Sequence, residues 1–229
     1  MIDVRLAHSR GTTRTDWLDS QHSFSFGGYR DPAWTGFRRL RVINDDLIAP
    51  RAGFGMHPHQ DMEILTFMER GSLEHRDSMG NGSVIRPGDV QRMTAGTGVR
   101  HSEVNPSDEE TRLLQVWIEP DTLGLEPSYE QRSYGASGSS VKLVASRDGR
   151  DGSVRVHQDV DVHRATLAAG ESHAFELAPG RHAWLQVVSG TFELNGHRLD
   201  DGDGAAVSDE PKLEITALTD SCFLLFDLP

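Results

Sequence analysis

The chain has 229 residues, and 23 Lys plus Arg against 35 Asp plus Glu give a formal net charge of −12. That length holds one large β unit or two modest domains, and so acidic a surface repels a phosphate backbone, so no direct nucleic-acid partner is expected. The longest apolar run, 222–226, falls far short of the ~20 residues that cross a bilayer, the first ten residues lack an apolar signal core, and the single cysteine, Cys222, can make no internal disulfide. A cytoplasmic protein without membrane contact is the expectation.

Glycine (23) and proline (10) are spread along the chain and punctuate short apolar stretches, which is an all-β rhythm. In chain order, strands are expected over 37–44, 63–69, 72–76, 113–118, 155–167, 183–188, 191–194, 212–217 and 222–227. No stretch sustains a 3.6-residue period. LLQVWIEP at 113–120 is rich in β-branched and aromatic residues and reads as a strand closed by Pro120. The Arg-rich stretch at 30–41 reads as a solvated face. The block LTFMERGSLEH at 65–75 repeats the apolar pattern of LQVVSGTFELN at 185–195 around a turn glycine, Gly71 or Gly190. Downstream, RPGDV at 86–90 corresponds to DDGDG at 200–204. Two copies of one small barrel follow: residues 1–125 and 140–229, joined by a Gly/Ser/Pro-rich connection at 126–139 in which Tyr129 and Tyr134 imply some packing.

Of 11 histidines, His57, His59 and His101 have a spacing that matters, together with Glu103. Side chains alternate along a strand, so His57 and His59 project to one side, and Pro58 between them requires an edge or irregular strand. His101 and Glu103 form a second same-side pair after a glycine hairpin and a Pro-Gly-Asp turn. Three neutral nitrogens and a carboxylate suit one divalent transition metal better than calcium or magnesium. Glu63 shares the parity of His57 and His59, so on an unbroken strand it points the same way. Either glutamate completes the set, with the other behind the ligands or free as an acid or base. In the second half, stepping back from Gly190 by the offset between Gly71 and His57 lands on Glu176, no HxE follows Gly202, and His173, His182 and His197 lack parity and partners. That half is expected to be structural.

These residues carry a family resemblance. His57, His59 and Glu63 match the first cupin motif. PGDVQRMTAGTGVRHSE at 87–103, RVINDD at 41–46, HPHQDMEI at 57–64, EHRDSMGN at 74–81, WLDSQHSFSFGGYRDP at 17–32 and SRDGRDGSVRVHQD at 146–159 resemble pirins, in particular bacterial pirin-like quercetin 2,3-dioxygenases. The resemblance implies a bicupin of two tandem double-stranded β-helix, jelly-roll-like barrels with metal only in the first. It implies the ligands His57, His59, His101 and Glu103, with Glu63 behind them holding His59 or His101. Iron(II) is the metal it suggests, and Zn, Cu, Mn, Ni and Co are alternatives. The implied enzyme is a ring-cleaving oxidoreductase, opening quercetin-like flavonols with O2 to a depside and CO, Glu103 taking the flavonol proton. Phe54, Met56, Phe67, Met93 and Trp117 are read as pocket lining for that aromatic substrate. The competing implication is a non-catalytic, iron-dependent redox sensor that binds a regulatory or metabolic protein. A monomer is expected.

Overall fold

Runs of Val, Ile, Leu and Phe closed by left-handed glycines become antiparallel strands, and helix is confined, among the described residues, to the single turns Ala7–Ser9 and Arg150–Gly152. The computed structural model describes residues 1–135 and 138–229. No helix of the described residues is long and apolar enough to cross a membrane. Two units form, one from Gly11–Ala136 with Val154–Gln158, the other from Met1–Arg10, Ser137–Ser153 and Asp159–Pro229.

In the first unit a seven-stranded sheet runs in the order Ser128–Ser133, Asp89–Thr94, Glu63–Arg70, Thr111–Ile118, Leu40–Ile48, Leu18–His22, Gly11–Arg14. A four-stranded sheet runs Gly53–His59, Val99–Val104, Leu73–Asp77, Gly82–Ile85. Leu18, Ile48, Met68 and Leu113 from the larger sheet pack on Leu73 and Ile85 from the smaller, so the two inner faces share one core. The second unit repeats this plan. Gly204–Ser208, His182–Ser189, Ser221–Leu228, Asp161–Leu167 and Ser140–Ser146 are successive neighbours, and a smaller sheet orders Ser172–Glu176, Lys212–Ala217, Phe192–Leu194, His197–Leu199. Its interior is hydrocarbon, centred on Leu185, Phe192, Ile215 and Phe223.

The unit boundaries differ from the expected 1–125, 126–139 and 140–229. Ile2–Arg5 pairs with Gly204–Ser208 of the second unit, because its Ile2 and Val4 pack against that core. The expected connection supplies the strand Ser128–Ser133, with Tyr129 opposite Met93; Ala136 and Ser137 of that connection lie outside the described residues. The single strand expected over 155–167 is broken. His157 accepts from Asp121 N–H at 2.8 Å and Gln158 Nε2 donates to Glu119 O at 2.7 Å, which hold 154–158 in the first unit before Asp161–Leu167 enters the second.

Gly71 and Gly190 occupy matching turns with φ of 79° and 85°. A Cβ on Gly71 would lie 2.5 Å from Thr111 Oγ1, and one on Gly190 would meet Ser221 Oγ at 2.6 Å. Left-handed backbone and a filled space therefore both demand glycine. Gly71→Ala is expected to lower the unfolding free energy by about 1–3 kcal/mol, read from the midpoint of urea denaturation.

Candidate metal centre

The 53–59 strand lies at the edge of the smaller sheet, which is why it tolerates Pro58: no neighbour needs the missing N–H. Its partner 99–104 sets His101 opposite His57 and Val99 opposite His59. Alternation then brings three imidazoles to one side, with ring centroids 4.8 Å apart for His57–His59, 4.4 Å for His57–His101 and 4.8 Å for His59–His101. His57 Nε2 and His101 Nε2 are 3.0 Å apart. Two nitrogens on one ion at ~2.1 Å, meeting at about a right angle, stand ~3.0 Å apart, so the spacing suits a shared metal.

Hydrogen bonds around the rings fix their roles. His57 Nδ1 lies 2.8 Å from Gly55 O; donating there leaves Nε2 with a lone pair turned toward the other rings. His59 Nε2, His101 Nδ1 and Glu103 Oε1 are buried without a hydrogen-bond partner in the protein. Each such atom costs about 1–3 kcal/mol, a cost that coordination offsets at His59 Nε2 and Glu103 Oε1, whereas His101 faces the other rings through Nε2 and its Nδ1 lies outside that set. Glu103 Oε2 accepts from Gln115 Nε2 at 2.8 Å, and Trp117 Nε1 donates to Gln115 Oε1 at 3.2 Å. Gln115 and Trp117 share a face of the 111–118 strand, so this relay turns Oε1 as the free oxygen. Ligand atoms of His57, His59 and His101 lie within 4.8 Å of one another, as do those of His75, His101 and Glu103. Both groups suit a single divalent metal.

Burial is the main cause that lowers His59 to about 4, with the neighbouring His101 and His57 adding to it; burial, then His57 and His75, lowers His101 to about 3. Both rings are therefore neutral at pH 7, with lone pairs available. His75, fully buried behind His101, has Nε2 3.2 Å from Asp77 Oδ2 and Nδ1 2.9 Å from Gln91 Nε2.

A cavity of about 350 Å³ opens on His57, His59 and Glu103. Phe54 and Trp117 are among the residues that line it, the Trp117 and His59 rings meeting in a T-shape at 4.9 Å. Phe54 faces inward because the pairing slips: His57 faces His101 but Phe54 faces Glu103, so three steps on one strand match two on the other and parity reverses.

The other expected lining residues are elsewhere. Met56 has the opposite parity to His57 and is 49% exposed. Phe67 is buried on the face of its strand opposite Met68, away from the interior. Met93 packs with Ile64, Ala95 and Val99 in a separate cluster. Glu63 does not hold His59 or His101. The chain breaks at Asp61, where φ is 49°, so Glu63 starts a strand of the larger sheet and accepts from Thr94 Oγ1 at 3.1 Å, with His157 Nδ1 at 3.3 Å. Burial raises its carboxyl above the usual range.

Sequence reasoning missed the polar wall from 18–22 and 40–48. His22 Nδ1 lies 2.7 Å from Asn44 Oδ1 and His22 Nε2 2.8 Å from Thr13 Oγ1. Asp46 is 2% exposed, and burial pushes its carboxyl up to about 7 against the Ser20 hydroxyl, with the charges of Asp45 and Glu103 adding to the rise. Alternation along WLDSQH and RVINDD held this signal, since Ser20, His22, Asn44 and Asp46 fall on inward positions with Leu18 and Ile48.

The family model described as Pirin matches residues 3–118, and that of the quercetinase C-terminal cupin domain matches 143–228. The chain belongs to the pirin family. It is 49% identical over 230 residues to a protein named quercetin 2,3-dioxygenase from Escherichia coli (strain K12), covering 100% of this chain and 99% of the relative. It is 40% identical to a pirin-like protein of Caulobacter vibrioides, covering 99% of each. A crystal structure of the bacterial pirin YhhW from Escherichia coli in complex with nickel(II) matches this pirin with a TM-score of 0.97 at 48% identity, covering 100% of this chain and 99% of that one.

Unfolded imidazoles titrate near 6.5, so between that value and about 4 the unfolded chain binds more protons than the metal-free folded one. Stability carried by neutral His59 and His101 is therefore present above pH 6.5 and lost as the pH falls toward 4. Denaturant unfolding of metal-free protein from pH 7 to 4 is expected to show His59→Gln losing less stability than the parent.

Proposed function

We propose that this pirin is a metal-dependent dioxygenase that opens quercetin-like flavonols with O2 and releases CO, with one divalent ion held by His57, His59, His101 and Glu103. Iron(II) is the ion the reading favours; a nickel(II) complex of a relative supports a site that accepts other first-row metals. The observation that carries the proposal is the grouping of three imidazoles, with Glu103 and its uncommitted oxygen grouped with one of them, His101, beside an aromatic-walled cavity.

When bound, the ion supplies Lewis-acid polarisation of a substrate oxygen and open coordination positions. The protein's own groups do the rest. Gln115 holds Glu103 Oε2, so Oε1 is the atom that would hold the ion and, when partly released from it, take the 3-hydroxyl proton of the flavonol. Trp117 and Phe54 line the cavity and offer aromatic surface on which a planar substrate can pack. His57 is held by Gly55 O and His101 by the two strands that flank it, so the ligand nitrogens need little reorganisation.

The test loads the protein with iron(II), adds quercetin and O2, and follows loss of flavonol absorbance, oxygen uptake and CO. His57→Ala is expected to abolish turnover and metal retention together. Glu103→Gln is expected to cost about 10²–10⁴ in kcat. Activity that survives Glu103→Ala and is lost in Glu63→Ala overturns the ligand assignment. A metal-loaded protein that consumes no flavonol, yet captures a protein partner in one oxidation state only, overturns the enzymatic reading in favour of a sensor.

A further inference from the structure

Asp46 stands on the inward face of the 40–48 strand, in register with Leu113 and Ser20, and lines the same cavity as His57, His59 and Glu103. It is 2% exposed, and its Oδ1 is buried with no hydrogen-bond partner in the protein. Outside the cluster of His59, His101 and Glu103, its polar neighbours Asn44 and Gln115 do not share this condition. Asn44 is committed to His22 and Gln115 to Glu103. A buried carboxyl oxygen left without a donor costs about 1–3 kcal/mol, and sites retain such groups where a ligand supplies the missing partner.

We propose that Asp46 is a substrate-positioning residue whose Oδ1 accepts a second phenolic hydroxyl, so that this pirin selects polyhydroxylated planar aromatics over those with a single hydroxyl. The inference rests on the flavonol reading and deepens it: one oxygen function of the substrate meets Glu103 and the imidazoles, and another meets Asp46. Between these ends Leu18, Phe26, Phe54 and Trp117 supply hydrocarbon that suits a flat ring system, and the polar groups His22, Asn44 and Gln115 that also line the cavity are already hydrogen-bonded within the protein. Either protonation state of Asp46 leaves an oxygen able to accept from a hydroxyl, so recognition does not depend on its titration. A site built to pair a hydroxyl discriminates strongly against the analogue that lacks it, because its own polar atom is then left buried and unpaired.

Two probes separate this from the dioxygenase reading: quercetin, with hydroxyls on both ring systems, and 3-hydroxyflavone, with one. Each is titrated into nickel-loaded protein without oxygen, following flavonol absorbance, so binding is read with no turnover. The parent is expected to bind quercetin at least about tenfold more tightly than 3-hydroxyflavone, the equivalent of one buried hydrogen bond. Asp46→Leu is expected to remove that preference by weakening quercetin alone. Asp46→Asn, which keeps an acceptor oxygen, is expected to restore most of it, and melting curves check that both variants fold. In turnover, the Asp46→Leu loss is expected in KM rather than kcat. An unchanged preference in Asp46→Leu, or equal weakening of both probes, overturns the proposal. Absence of turnover in the parent overturns the dioxygenase reading while the anaerobic titration still decides the role of Asp46.

Discussion

Nitrogen lone pairs held close together with few donors to meet them are the condition around which the site of the first unit is built. Three imidazoles and a carboxylate left partly unpaired cost together several kcal/mol, a large fraction of the 5–15 kcal/mol by which a domain is stable. That condition persists because the strands leave the rings no alternative. The 99–104 strand is paired on both sides, so His101 cannot withdraw; the edge strand presents His57 and His59 against it; and Gly55 O ties the outer nitrogen of His57. In the second unit the space between equivalent sheets is filled by Leu185, Phe192, Ile215 and Phe223. The same frame thus exists with and without the electrostatic burden, which shows that the frame does not need the histidines.

A single slip in strand pairing gives the site its shape. Between His57 and Phe54 the edge strand gains one residue on its partner, so one short segment delivers imidazoles and an aromatic wall to the same interior. Without the slip, Phe54 points to solvent and Gly55 takes the inward place. In the opposite wall the pairing of 42–48 with 111–117, and of 44–48 with 18–22, runs without a shift and sets Ser20, His22, Asn44, Asp46, Gln115 and Trp117 inward.

The two-barrel plan and the grouping of His57, His59 and His101 were legible because both rest on short-range rules, period-two alternation along the strands and left-handed glycines at Gly71 and Gly190. What escaped reading depended on longer-range events. Glu63 was misplaced because nothing local marks Asp61 as the residue where the chain leaves one sheet for the other. Met56 was misplaced although alternation alone puts it outside, since its apolar character outweighed its parity. The polar wall escaped because buried Asp and Asn look like surface residues until a strand pairing encloses them. Met1–Arg10 joins the second unit through a pairing that spans most of the chain, and 154–158 joins the first through contacts up to 94 residues back, both beyond the reach of composition or linker signals.

The return of 154–158 to the first unit bears on how the protein is made. A ribosome delivers Glu63 well before His157, which is 94 residues further along, so the early barrel closes around a buried carboxyl that still lacks one of its partners. The N-terminal strand waits longer still, since Ile2–Arg5 pairs with Gly204–Ser208. Folding that proceeds from the N-terminus as the chain emerges must therefore hold its first segment open and its first barrel incomplete, and both are sealed only late in synthesis. The metal-competent half is in this sense finished by residues that contribute nothing to its chemistry.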